Sequence, residues 1–221
     1  MLPLQQISVV WGVCMYVCII FIIFIFTFSP AFLEAGKQKQ PSPKKNSISC
    51  IRKFLDNFHS VERGILYRSG QLSPKYLERY VQRFDIKTII NLRGNNADKD
   101  WWQKEDALTK QYGLKFYNIP MTARRLPSKE HLLQLLHLYK TAPKPILIHC
   151  YGGVERTGEA AALWVLEQQK KRKKDALKQL SLKYGYWQSK KHPKYFFISI
   201  WQGKDWLEKT YCPKKYQQAP V

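Results

Sequence analysis

The sequence predicts an α/β fold in which a mostly parallel central sheet is flanked by helices and preceded by one N-terminal transmembrane helix. Three observations carry that expectation. Short β-rich runs alternate with longer stretches of helical period, the pattern of strand-helix-strand units that pair in parallel. The chain has 221 residues, room for one domain of ordinary size with appendages. No charged side chain precedes Glu34, and the 22 residues from Ile7 to Phe28 are almost wholly apolar. As a helix they would span ~33 Å at ~1.5 Å per residue, enough to cross a bilayer.

In chain order, residues 1–34 read as the membrane anchor. The six residues before the apolar run carry no Lys or Arg, and the run exceeds the ~7–15 residues of a secretory signal core, so a retained anchor is expected over a cleaved signal. Lys37, Lys39, Lys44, Lys45, Arg52 and Lys53 follow the run, which places the rest of the chain in the cytoplasm by the positive-inside rule. Residues 35–49 are small, polar, basic and Pro-containing, a flexible tether whose lysines suit anionic headgroups or solvent. Residues 50–221 are the globular domain. Gly64–Arg68 reads as a short strand. Ser73-Pro74 supplies an N-cap and first-turn proline for a helix with Leu77, Tyr80, Val81 and Phe84 on one face. Thr88–Leu92 is a buried strand, Trp101–Tyr112 a helix closed by Gly113, and Leu114–Ile119 the next strand. Ser128 caps a helix carrying Leu132, Leu133, Leu135, Leu136 and Tyr139, which Pro143 and Pro145 end. Pro145–His149 is an apolar strand running into a glycine-containing loop and a helix over Gly158–Gln169. From Lys174 to about Tyr211 the period is helical, with Tyr195, Phe196, Phe197, Trp201 and Trp206 expected to pack on the sheet. Lys170–Lys174 reads as a solvated turn.

Hydrophobic residues make up 45% and charged residues 24%, which excludes a disordered or collagen-like chain. Against 16 Asp and Glu stand 37 Lys and Arg, a net +21 that calls for a phosphate-bearing partner without choosing one. Cys14, Cys18, Cys50, Cys150 and Cys212 show no zinc spacing and an odd total, which fits a reducing compartment. No nucleotide-binding G-x-x-x-x-G-K-[ST], no G-x-S-x-G and no H-E-x-x-H is present, and no recognised nucleic-acid module accompanies the basicity, so nucleic acid is not an expected partner.

The segment His149-Cys150-Tyr151-Gly152-Gly153-Val154-Glu155-Arg156-Thr157-Gly158 lies between a buried strand and a helix. Two glycines let the backbone curl so that the N–H groups of Tyr151 to Val154 point inward as a nest, and the helix adds its positive end. Arg156 can grip two phosphate oxygens through its planar fork. The same positive environment favours the thiolate of Cys150, ready for in-line attack on phosphorus. His149 is placed to orient the loop, and the Thr157 hydroxyl to stabilise the sulfur as leaving group. A site so supplied with charge needs no metal and no cofactor.

The pattern H-C-x5-R-T-G resembles the signature of the cysteine-based protein tyrosine phosphatase superfamily, and the short chain with one such loop is similar to its dual-specificity branch of bacterial type. Tyr67–Gln71, Ile89–Gly94, Ile119–Met121 and Lys178–Ser181 are similar to further segments of that branch. The resemblance runs from about Tyr67 to Tyr211 and implies a phosphomonoester hydrolase that works through a cysteinyl-phosphate. One feature departs from it. The superfamily's general acid is an aspartate about thirty residues before the cysteine, here within 120–127, PMTARRLP, which has no carboxylate. Glu155 matches the acidic residue assigned that role in myotubularin-like members, and its position puts a carboxyl near the leaving oxygen. Asp98 and Asp100 are the alternatives. Arg124 and Arg125 stand where the acid loop would close on substrate, and Arg93 follows a strand into the same region, so all three are possible substrate contacts. The single arginine after the loop and the lack of lysine within it favour phosphotyrosine and dual-specificity protein substrates. The anchor and the charge favour phosphoinositide or inositol phosphate, and the missing aspartate leaves room for a catalytically weak phosphate-binding module.

Overall fold

In a computed structural model of the chain, residues 48–187 and 191–216 are described. The predicted anchor, Ile7–Phe28, and most of the tether lie outside them. Among the described residues no helix is long and apolar enough to cross a membrane.

The chain opens with helix α1 (Cys50–Leu55), then strands β1 (His59–Glu62) and β2 (Leu66–Ser69). Helix α2 (Pro74–Phe84) leads to β3 (Thr88–Asn91), α3 (Asp100–Gln111) to β4 (Lys115–Asn118), and α4 (Lys129–Thr141) to β5 (Ile146–His149). Then come α5 (Glu155–Glu167), α6 (Lys173–Leu177), α7 (Pro193–Ile200) and α8 (Lys204–Lys209). The five strands lie in the order β1-β2-β5-β3-β4. Strands β2, β5, β3 and β4 run parallel, and β1 is an antiparallel edge.

Alternation along each strand separates two cores. Leu66, Ile90, Ile146 and Ile148 face a cluster built with α4, α5, α7 and α8. Tyr67, Ile89 and Leu147 face a smaller one built with α2 and α3. Strands buried on both faces read as continuous apolar runs, which is why β3 and β5 are plain in the sequence. Register brings Ser69, His149 and Asn91 level, with Asn118 level with Asn91. The loops that follow therefore share the carboxyl edge of the sheet, the usual place for a ligand in such folds.

Several expectations need correction. Helix α5 begins at Glu155, three residues before the predicted start, because the first-turn N–H groups need no intrahelical partner and Gly158 N already bonds Val154 O at 2.8 Å. Ser73 occupies the N-cap of α2, yet its side chain makes no capping bond. Ser128 caps α4 as expected, accepting from His131 N at 3.2 Å. The predicted helical stretch beyond Lys174 is broken at Gly185 and Gly203, both with positive φ, and at Pro193, which starts α7. Its aromatics Phe197, Trp201, Trp206 and Tyr211 do join the larger core. Strand β1 and helix α1, both short and without clear period, were not anticipated.

Candidate active site

The loop from Cys150 to Val154 leaves the end of β5 and enters α5, with Cys150 buried at its start and Tyr151 exposed. Its carbonyls are turned outward by the scaffold. Gln71 N donates to Tyr151 O at 2.8 Å, Asn57 Nδ2 to Gly152 O at 3.0 Å, and Arg68 Nη2 to Gly153 O at 2.8 Å. In a trans peptide the next N–H points opposite to the carbonyl, so the amides of Gly152, Gly153 and Val154 face the other way. Among the described residues they have no acceptor, and the first-turn amides of α5 add to the same face. The result is a concave row of donors at a helix N-terminus, which suits a phosphate dianion.

Gly153 makes the curl possible. Its φ is +70°, and a Cβ there would lie 2.6 Å from Gly70 N and 2.7 Å from the Ser69 carbonyl oxygen. The loop is thus pressed against the end of β2. Asn57, in the left-handed region at φ +49°, reaches across to hold Gly152 O and also Tyr184 O at 3.1 Å.

His149 is buried, and Nδ1 stands 3.4 Å from the Cys150 carbonyl oxygen. Its Nε2 lies 2.9 Å from Glu105 Oε1, an ion-pair distance whose angle departs from that of a hydrogen bond. Glu105, buried on α3, accepts from Gln71 Nε2 at 3.0 Å. Burial alone would raise the Glu105 carboxyl, but His149, Gln71 and Arg93 outweigh it and hold it below the ordinary value. Gln71 Oε1 in turn accepts from Arg93 Nη1 at 2.8 Å. A chain of contacts therefore runs from His149 through Glu105 and Gln71 to Arg93.

Arg93 stacks on Trp101 at 3.4 Å and lies 5.4 Å from the Tyr151 ring. Its backbone is fixed by Asn91 Oδ1, which accepts from Arg93 N at 2.9 Å. Burial, then the neighbouring Arg156 charge, push the Arg93 guanidinium below its ordinary value, while Glu105 and Cys150 oppose them. Arg93 and Arg156 thus share one electrostatic site with Cys150. Arg156, in the first turn of α5, donates from Nη1 to Leu92 O at 3.5 Å and its Nε has no partner among the described residues. The buried Thr157 hydroxyl is likewise unpartnered.

Glu155 is half-buried at the first position of α5. It shares a neighbourhood with His192 and Arg124. Burial lowers His192, Lys194 and Arg124 lower it further, and Glu155 opposes them. Asp98 and Asp100 are instead exposed and paired with Lys99 and Lys104, each at 2.8 Å. Arg124 and Arg125 are exposed on the 120–127 segment. That segment is tied down by Lys194 Nζ, which donates to Arg125 O at 2.9 Å and to Glu159 Oε2 at 2.8 Å, both ends of the ion pair being fully buried. Sequence reading gives Arg68 and Gln71 a place in the similar segment Tyr67–Gln71 but no site role, and it gives none to Asn57 and Glu105. A charged residue one turn before Leu108 and Thr109, on a face otherwise buried, was the available sign for Glu105.

Residues 45–194 match the family described as DSP-PTPase phosphatase fused to NAD+ kinase. No curated protein matches the chain. Among solved structures, TpbA of P. aeruginosa in complex with phosphotyrosine is 22% identical, with 69% of this chain and 88% of that one covered and a TM-score of 0.54. The catalytic core of the PP-IP phosphatase Siw14 from S. cerevisiae, in complex with citrate, is 21% identical over 69% of this chain and 90% of that one, at a TM-score of 0.58. Tk-PTP in its active form is 19% identical over 69% and 97%, at 0.51. These likenesses show a shared fold.

Proposed function

We propose that this chain, which belongs to the family of DSP-PTPase phosphatases fused to NAD+ kinase and is a cysteine-based phosphatase, acts on phosphotyrosine, and secondarily phosphoserine and phosphothreonine, in proteins. The observation that carries the chemistry is the outward-turned loop carbonyls over buried Cys150, which leave a row of N–H groups for the phosphate oxygens. Cys150 Sγ attacks phosphorus in line, forming the S–P bond as the P–O bond breaks, and Glu155 gives its proton to the departing oxygen. Water then attacks the cysteinyl-phosphate with Glu155 as base, releasing inorganic phosphate and the thiolate, which the Thr157 hydroxyl stabilises. Arg156 holds two oxygens through both steps. His149 orients the Cys150 backbone.

An aromatic rim supports the aryl substrate. Tyr151 is exposed on the loop and Arg93 is stacked on Trp101, surfaces that suit a phosphotyrosine ring and its neighbouring peptide. TpbA, bound to phosphotyrosine in its crystal structure, lends the same support. One observation favours a second reading: Arg93 beside Arg156 offers a further guanidinium to a substrate with a second anionic group, and Arg124 shares the surroundings of His192 with Glu155. That suits a phosphoinositide or inositol phosphate, and the neighbour Siw14 is a PP-IP phosphatase. Phosphate release from phosphotyrosine peptides, phosphothreonine peptides and soluble inositol phosphates separates the readings. Preference for phosphotyrosine by at least tenfold in kcat/KM supports the first, the reverse order supports the second, and no turnover of any would leave a phosphate-binding module. The apolar run Ile7–Phe28 adds a single-pass membrane anchor to this proposal, on sequence grounds, with the phosphatase domain in the cytoplasm.

A further inference from the structure

Arg68 lies on β2, two residues after core-facing Leu66 and opposite Ile148 of β5, and it is fully buried. Its guanidinium donates from Nη1 to Gln179 O at 2.8 Å and Gln179 Oε1 at 2.9 Å, and from Nη2 to Gly153 O at 2.8 Å. It stacks on the Tyr184 ring at 3.8 Å, and its Nε has no partner. Among the described residues no carboxylate pairs with it. A buried charge without a counter-ion is expensive, and bonds to neutral oxygens offset that penalty only in part. The proposed reaction does not use this group.

We propose that Arg68 is the built-in counter-charge of the phosphate site, fixing the loop through Gly153 and holding Cys150 as thiolate and the bound phosphate as dianion from beneath. It is a positioning residue, since it touches the loop and not the reacting atoms. The inference rests on Cys150 being the nucleophile. Burial draws the Arg68 guanidinium down to about 10, while Tyr184, Cys150 and Tyr139 oppose that fall. The groups around Cys150 are otherwise Arg156 on α5, Arg93 after β3, and His149 with Glu105 of α3. Three arginines, Arg68, Arg93 and Arg156, therefore add to the positive end that the loop amides and the α5 N-terminus present. Arg68 alone among these is sealed from water, where screening is weakest.

The test compares Arg68→Gln with Arg68→Lys in the full-length protein. Iodoacetamide alkylation of Cys150, located by peptide mapping, is followed over about pH 5 to 9, with melting curves to confirm folding. In the unmodified protein Cys150 should label at pH 6 and be protected by vanadate. Absence of that labelling would overturn the nucleophile reading and the inference with it. With labelling established, Arg68→Gln should slow alkylation at pH 6 on the order of tenfold, whereas Arg68→Lys, which keeps the charge and loses the fork, should stay within about threefold. A folded Arg68→Gln that alkylates at the unmodified rate would overturn the inference alone. Should Arg68→Gln fail to fold, the lysine variant decides: retained labelling at pH 6 supports the counter-charge, and a tenfold loss there contradicts it.

Discussion

At the scale of single residues, the proposed site divides its work between groups placed to touch phosphate and groups that aim them. Glu155 is the proposed acid because it alone among the three carboxylates considered sits beside the loop, while Asp98 and Asp100 are exposed and lysine-paired. Glu155→Gln should slow phosphothreonine hydrolysis by about 10²–10⁴-fold and nitrophenyl phosphate hydrolysis far less, because only an alkoxide needs the proton in the transition state. Equal losses on both substrates would point to a displaced Arg156. Gly153→Ala should reduce kcat/KM at least as much on both, since its methyl has no space between Gly70 and Ser69 and the residue is held at positive φ. Activity near that of the unmodified protein would mean that the loop curls differently. The loop residues were legible because their types and spacing are local. The roles of Arg68, Gln71, Asn57 and Glu105 were not, because each acts on a partner many residues away that only the folded chain brings near.

At the scale of elements, α5 carries both chemistry and support. One turn after Arg156, Glu159 forms a sealed ion pair with Lys194 of α7, and Lys194 also holds Arg125 O of the 120–127 segment. Burial raises the Glu159 carboxyl to about 7, with Lys194 opposing the rise. Its folded value lies above the unfolded one, so the folded state keeps a proton that the unfolded state releases. Stability from this group is full below about pH 4.5 and is lost as pH rises through about 7. Glu159→Gln should flatten the fall in melting temperature across that window. A slope unchanged by the substitution would place its origin elsewhere. Lys194→Met should destabilise by about 3–5 kcal/mol, as loss of one partner strands the other. Nothing in the sequence marks this pair, since the aromatics of that stretch account for its packing and the carboxylate that Lys194 meets lies 35 residues away. By contrast β3 and β5 are plain as apolar runs, whereas α1 and β1 are too short to read, α5 starts earlier than its pattern says, and the stretch beyond Lys174 breaks at Gly185, Pro193 and Gly203.

At the scale of the whole molecule, the carboxyl edge of the sheet gathers the loops that build the proposed phosphate site. The proposed anchor predicts that the full-length protein sediments with membranes and resists extraction by high salt, because apolar burial is insensitive to screening. Release into the soluble fraction at high salt would reduce the attachment to surface charge. The central claim is that Cys150 becomes phosphorylated during turnover. The most direct measurement is a rapid quench during hydrolysis of nitrophenyl phosphate, with nitrophenolate release followed in the first turnover and the phosphorylated residue located by mass spectrometry. Turnover should leave a phosphoryl group on Cys150, absent in Cys150→Ser, which should still bind vanadate while turning over no substrate. Steady turnover with no phosphoryl group on Cys150, together with activity near that of the unmodified protein in Cys150→Ser, would contradict it.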